Sequence, residues 1–313
     1  MTQADNFWRR VQRRADALAP DLRRAYLAGV TALQARLSAR DVEALIATGS
    51  VMQVMETALS DAGLNAAFSK FRATMQVLTR DAVPYFGKDI PGVHPKIGVT
   101  FDYLNPKVVE AVKRMDTEMM RGLADSVRET VRTAIHTGLE AGVNPRETAR
   151  GLRQVLGLAP NQLEAVTNYE RSLRGIDGAG NPLTRALRDK RFDATVRKGD
   201  LTEPQIQKMV DAYRRRMVAF NAETQARTAT LDALKLGQEL SWRDAMDKGF
   251  VPSGALVKQW KGVMDDRERD EHIAMEGETV PFDQPYSNGE MVPGESTYNC
   301  RCLSVVFVGR ADG

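Results

Sequence analysis

The stretch Asn299-Cys300-Arg301-Cys302-Leu303-Ser304-Val305-Val306-Phe307-Val308 sets the reading of this chain. Its second half is a β-branched, apolar run, the composition of a strand. Its first half holds both cysteines of a 313-residue protein, one residue apart. Upstream, Ala255 to Trp260 and Glu278 to Phe282 are two further short β-rich runs, and helical signal survives only around Glu268 to Met275. Residues 254–313 therefore read as a small α+β domain. About sixty residues bury little core, so such a module needs docking, a metal or a partner.

Everything before it reads as helix. Ala, Leu, Met and Arg are plentiful and aromatics are only 6%, a bias toward side chains that lose little on entering a helix. Phe7, Trp8, Val11, Ala15 and Leu18 share one helical face, and Pro20-Asp21 is expected to break that helix. A second helix then carries Leu22, Tyr26, Val30, Leu33 and Leu37. Asp41 and Asp61 look like the starts of two more, the later one carrying Phe68, Phe71, Met75 and Leu78. Residues 1–82 thus form an N-terminal amphipathic helical region.

Residues 83–104, with Pro91-Gly92 and His94-Pro95, read as a Pro/Gly-rich hinge. One short strand is expected over Val99 to Leu104. Asn105-Pro106 opens a long helix, Asn as cap and Pro in the first turn. Its apolar stripe runs from Val108 to Leu139, and Gly142 ends it. Asn144-Pro145 and Pro160 start two shorter helices. Thr202 with Gln205 forms a capping box for a helix through Ile206, Met209, Tyr213, Met217 and Phe220, running toward Leu240. Residues 105–253 make a central helical domain, and the fold class is mainly α with a small C-terminal α+β domain.

Net charge is only +3, but it is polarised. Residues 1–40 hold eight Arg against three Asp, and residues 171–198 hold eight Lys or Arg against three Asp. Residues 253–313 hold six basic against eleven acidic side chains. Such a chain can face DNA with one part and a basic partner with another, and Arg9, Arg10, Arg13 and Arg14 are the candidate DNA contacts. No apolar run reaches the roughly 18–20 residues a bilayer crossing needs. Two cysteines do not staple an extracellular protein of this size, so synthesis in a reducing cytoplasm is expected.

The last sixty residues gather the rare side chains. His272, one of three histidines, together with Cys300 and Cys302 could supply three ligands to a structural zinc, with Asp265, Asp266 or Glu276 as a fourth. The two thiols share a face if they lie on a strand leading into Leu303 to Val308. The same residues could equally be buried, hydrogen-bonded packing groups. An enzymatic alternative is a metal-assisted nuclease or hydrolase using the Asp265, Arg267, His272 and Cys300 cluster. The sequence offers no phosphate loop, dinucleotide motif or identifiable nucleophile beside it, so no catalytic residue is assigned.

In order, Trp260, Asp265-Asp266-Arg267, His272, Gly277, Pro281-Phe282 and Asn299-Cys300-Arg301-Cys302 before an apolar strand resemble the C-terminal signature of the phage Mu F-like head morphogenesis family. The likeness extends upstream through Asn168-Tyr169, Leu187-Arg188-Asp189, Arg191-Phe192-Asp193 and Met209 to Tyr213, covering residues 105–308. Two departures stand out. Many members carry Cys-x-x-Cys and a later His where this chain has Arg269, His272 and Glu276, though a related subset has the single His alone. The family's Arg-Thr-Glu reads Arg227-Thr228-Ala229 here. The resemblance implies a low-copy minor head protein of the virion, made in the bacterial host cytoplasm. Such a protein would work at the portal vertex or capsid interior, with portal, capsid and scaffold proteins and packaged double-stranded DNA as partners.

Overall fold

A computed structural model of the chain describes residues 2–37, 39–48, 50–90, 105–252, 254–295 and 297–309. The helices are α1 (Gln3–Arg36), α2 (Ala39–Ala47), α3 (Val51–Ala58), α4 (Asp61–Ala67), α5 (Ser69–Gly87), α6 (Pro106–Glu140), α7 (Pro145–Val155), α8 (Pro160–Leu173), α9 (Asp193–Lys198), α10 (Glu203–Asp247) and α11 (Asp270–Ala274). Among the described residues, three short strands, β1 (Leu256–Lys261), β2 (Thr279–Pro281) and β3 (Leu303–Val308), come late in the chain. The protein is mainly α with a small α+β end, as the side-chain patterns require.

Helix starts follow their local chemistry. Asn105 Oδ1 accepts the Lys107 N–H at 3.0 Å, and Asn144 Oδ1 accepts the Arg146 N–H at 2.8 Å. At the head of α10, Gln205 Oε1 accepts the Thr202 N–H at 2.9 Å. Each bond satisfies an amide near a helix start, and each start carries a proline in its first turn. After α6, Gly142 adopts φ 65° and the chain leaves the helical path.

Proline within a helix is where the sequence misleads. α1 runs unbroken through Pro20 and α5 through Pro84. Val11, Ala15, Ala19, Leu22, Tyr26, Val30 and Leu33 are all buried, so the apolar stripe keeps its phase across position 20. Pro20 and Pro84 are themselves exposed. The bond each removes therefore lies on the solvent side and not in the core. The hinge expected at 83–104 consequently begins inside a helix, because residues 83–87 belong to α5. The strand expected over Val99 to Leu104, and His94, lie outside the described residues. The helix expected from Asp61 is two, α4 and α5, meeting at the fully buried Phe68. Asp41 lies inside α2, which begins at Ala39.

Packing divides the chain into two units, one of Met1–Ala25, Phe71–Thr117 and Thr224–Gly313, the other of Tyr26–Lys70 and Glu118–Glu223. Both are assembled from separated segments, so they differ from the linear division read along the sequence. In the second unit, Tyr169 stacks on Tyr213 with ring centroids 4.4 Å apart, within a cluster that includes Val166, Leu173, Ile206 and Met209. Asn221 is buried there, donating from Nδ2 to the Gly157 carbonyl at 2.8 Å and the Tyr26 hydroxyl at 3.1 Å.

The first unit holds the sheet. Its order is β2-β1-β3, antiparallel throughout, with Val257 opposite Pro281 and Trp260 opposite Ser304. Leu236, Leu240 and Trp242 of α10 pack with Leu256 and Phe282, and Gln238 Nε2 donates to the Ser304 carbonyl at 3.1 Å. Gly237 lies against Ala82 of α5 so closely that a Cβ at 237 would come within 2.3 Å of the Ala82 Cβ. The N-terminal end of α1 joins the same unit, with Val11 and Ala15 in a cluster that holds Phe86, Leu231 and Leu303.

Candidate functional site

The site is built on the central strand. Position 260 faces inward on β1, and Trp260 is completely buried there. Its indole meets His272 edge-on at 5.3 Å and Tyr286 edge-on at 5.1 Å, centroid to centroid. Tyr286 in turn hydrogen-bonds Ser304 of β3 at 2.9 Å. Burial in apolar surroundings pushes the Tyr286 hydroxyl above its ordinary pKa. This aromatic wall fixes the imidazole of His272, which α11 presents and which is 2% exposed.

Cys300 and Cys302 come to the same imidazole from the segment just before β3, not from within a strand as expected. Both are free thiols and both are buried. Their sulfurs lie 3.6 Å from His272 Nδ1, one on each path. The turn that brings them together is specified by Asn299, at φ 59°, a left-handed conformation that Asn tolerates better than most residues. The Asn299 N–H donates to Thr228 Oγ1 at 3.0 Å. On the far side, Gly294 at φ 80° leaves room for the Cys300 side chain, whose Cβ would lie 2.5 Å from any Cβ at 294.

The thiols are unequal. Donation from Cys302 to the Cys300 sulfur lowers the Cys300 pKa below that of an ordinary thiol, and Lys235 and His272 add to the effect. Cys302 is pushed up, first by that same hydrogen bond and then by burial. Lys235 is itself buried and donates from Nζ to the Pro293 carbonyl at 2.6 Å.

A fourth group converges where the sequence did not point. Glu268, its side chain 4% exposed, places Oε1 3.2 Å from Cys302 Sγ and 3.6 Å from His272 Nδ1. Its other oxygen accepts the Val263 N–H at 3.1 Å. The acids named from sequence as a fourth ligand are committed elsewhere or point outward. Asp265 is held by Arg301, Asp266 is exposed, and Glu276 accepts from Lys261 Nζ and the Gly262 N–H, each at 2.5 Å. The one signal that could have found Glu268 is its i, i+4 spacing from His272.

Arg301, between the cysteines, turns the other way. Both its terminal nitrogens bond Asp265, at 2.7 and 2.6 Å, which holds that carboxyl far below the usual range. Its carbonyl accepts from Trp8 Nε1 at 2.9 Å and Gln12 Nε2 at 3.1 Å, both of α1. Arg267, exposed, reaches Asp265 at 3.5 Å. The Asp-Asp-Arg triplet is thus a turn whose first residue locks the Cys-Arg-Cys segment.

The candidate DNA-contact arginines are split. Arg9 and Arg13 are exposed. Arg10 pairs with Asp89 and lies over Phe7, while Arg14 lies over the Tyr85 ring at 5.3 Å. No helix among the described residues is long and apolar enough to cross a membrane.

Residues 195–305, which take in α10, β1, β2, the start of β3 and Trp260, His272, Cys300 and Cys302, match the family described as Phage Mu protein F like protein. That part, about a third of the chain, is similar to this family. No curated protein and no solved structure matches the chain.

Proposed function

We propose that this chain, with its Mu F-like segment, is a phage head morphogenesis protein, a low-copy component of the virion that acts at the portal vertex or the procapsid interior. The observation that carries the reading is that the matched residues are the ones the fold invests in packing. Trp260, His272, Cys300 and Cys302 are sealed in the first unit, and Asp265 and Arg301 clamp the segment around them. A buried imidazole and buried thiols are out of reach of a polymeric substrate. The nuclease or hydrolase alternative therefore gains nothing from the geometry, and the arrangement suits a rigid module that other proteins grip.

The polarised charge fits the same setting. Arg9 and Arg13 present free-facing guanidinium groups suited to phosphates, and such contacts weaken steeply with salt. Portal, capsid or scaffold proteins are the partners this reading requires, with packaged double-stranded DNA as a further contact. The test is genetic. Removing the gene from the phage that encodes it, with the chain supplied in trans as the control, should lower the yield of infectious particles and leave aberrant or unfilled heads by electron microscopy. Heads of normal number and content without the protein would overturn the reading.

A further inference from the structure

We propose that Glu268, His272, Cys300 and Cys302 bind one divalent transition-metal ion, zinc by the chemistry of the set, with Glu268 as a full ligand. Three potential ligand atoms, two sulfurs and one imidazole nitrogen, converge in the interior of the first unit, all within 4.8 Å of one another. Tetrahedral zinc with bonds of about 2.3 Å to sulfur and about 2.0 Å to nitrogen sets those two atoms about 3.5 Å apart. Both sulfur-to-Nδ1 separations are 3.6 Å. The Glu268 carboxylate approaches two of the three, Oε1 standing 3.2 Å from Cys302 Sγ and 3.6 Å from Nδ1.

Hydrogen bonding alone accounts poorly for this convergence. A single proton on Nδ1 serves one partner, yet three groups approach that nitrogen at the same distance. A cation at the centre serves all of them at once. Two thiolates, an imidazole and a carboxylate are ligands zinc favours. Trp260 fixes the ring edge-on, and Glu271 Oε1 lies 3.9 Å from Nε2, outside hydrogen-bond distance. The ion would tie the Cys-Arg-Cys segment to α11.

The full chain, produced in zinc-supplemented medium and exhaustively dialysed, is expected to hold one zinc per chain by plasma mass spectrometry. Exchange with cobalt(II) is expected to give the intense visible bands of a tetrahedral ion together with thiolate charge-transfer absorption. Cys302→Ala should abolish both. Glu268→Gln should weaken metal affinity at least about tenfold and shift the cobalt bands, while leaving the thiolate absorption in place. If Cys302→Ala fails to fold, the wild-type cobalt spectrum still decides. Wild-type protein without stoichiometric zinc, and with only the faint bands of hydrated cobalt, overturns the site. Unchanged affinity in Glu268→Gln overturns the four-ligand assignment. Either result is read on purified protein and is independent of any role in the phage head.

Discussion

Arg301 grips Asp265 with both terminal nitrogens while its own backbone carbonyl holds Trp8 and Gln12 of the N-terminal helix. One residue between two buried cysteines thus joins the first turns of the chain to its last strand. Bidentate pairing of this kind fixes geometry as well as charge.

The first prediction concerns acid. The Asp265 carboxyl is held well below the ordinary aspartate pKa of about 3.9 by the Arg301 guanidinium. A depressed carboxylate contributes stability that is fully present above the unfolded-state pKa and is lost as pH falls through the folded-state value. Urea midpoints of the wild type should therefore decline below about pH 4. Asp265→Asn should lower the neutral-pH midpoint and flatten that acid decline. Two parallel curves would show that the pair contributes nothing.

Trp260 is completely buried between His272 and Tyr286, so its truncation leaves a large void. Trp260→Ala should cost about 3–5 kcal/mol by denaturant unfolding. A loss below about 1 kcal/mol, the ordinary scale of a surface change, would mean that the indole does not organise the site.

Gly237 offers a prediction with an unusual sign. Glycine inside a helix normally costs about 1 kcal/mol relative to alanine, so Gly→Ala at an open position stabilises. At 237 the added carbon would meet Ala82 at 2.3 Å and the Thr79 carbonyl oxygen at 3.1 Å, and α5 would have to move away. Gly237→Ala should therefore lower the melting temperature. A rise would show that the two helices are farther apart than described.

In the second unit, Asn221 bonds the Gly157 carbonyl and the Tyr26 hydroxyl from a buried position. Asn221→Ala leaves those acceptors without their donor and should cost about 1–3 kcal/mol. Tyr26→Phe removes one of the two acceptors, so the double variant should lose less than the sum of the singles. Strict additivity in the four-variant cycle would separate the two residues.

What the sequence revealed and what it hid divide by range. Asn105-Pro106, Asn144-Pro145 and the Thr202–Gln205 box announced three helix starts because a cap acts within one turn. The three described strands were legible from their short β-rich runs, and α11 from the helical signal around Glu268 to Met275. Pro20 and Pro84 misled because a proline's local cost is visible in sequence, whereas the buried stripe that overrides it is a property of packing. The convergence of His272, Cys300 and Cys302 was anticipated because those residue types are rare here. Glu268 was not, since it is one of eleven acidic residues in the same segment and only the fold selects it. The bond from Trp8 to Arg301 spans 293 positions, and no local pattern encodes it.

The central claim is that this chain is built into phage heads. Heads and procapsids purified from the phage that encodes it should be quantified by mass spectrometry after cross-linking. The account predicts this protein in both, far below the major capsid protein in amount, with cross-links to the portal or to the inner capsid surface. Its absence from both particles, in lysates where it is made, would contradict the account.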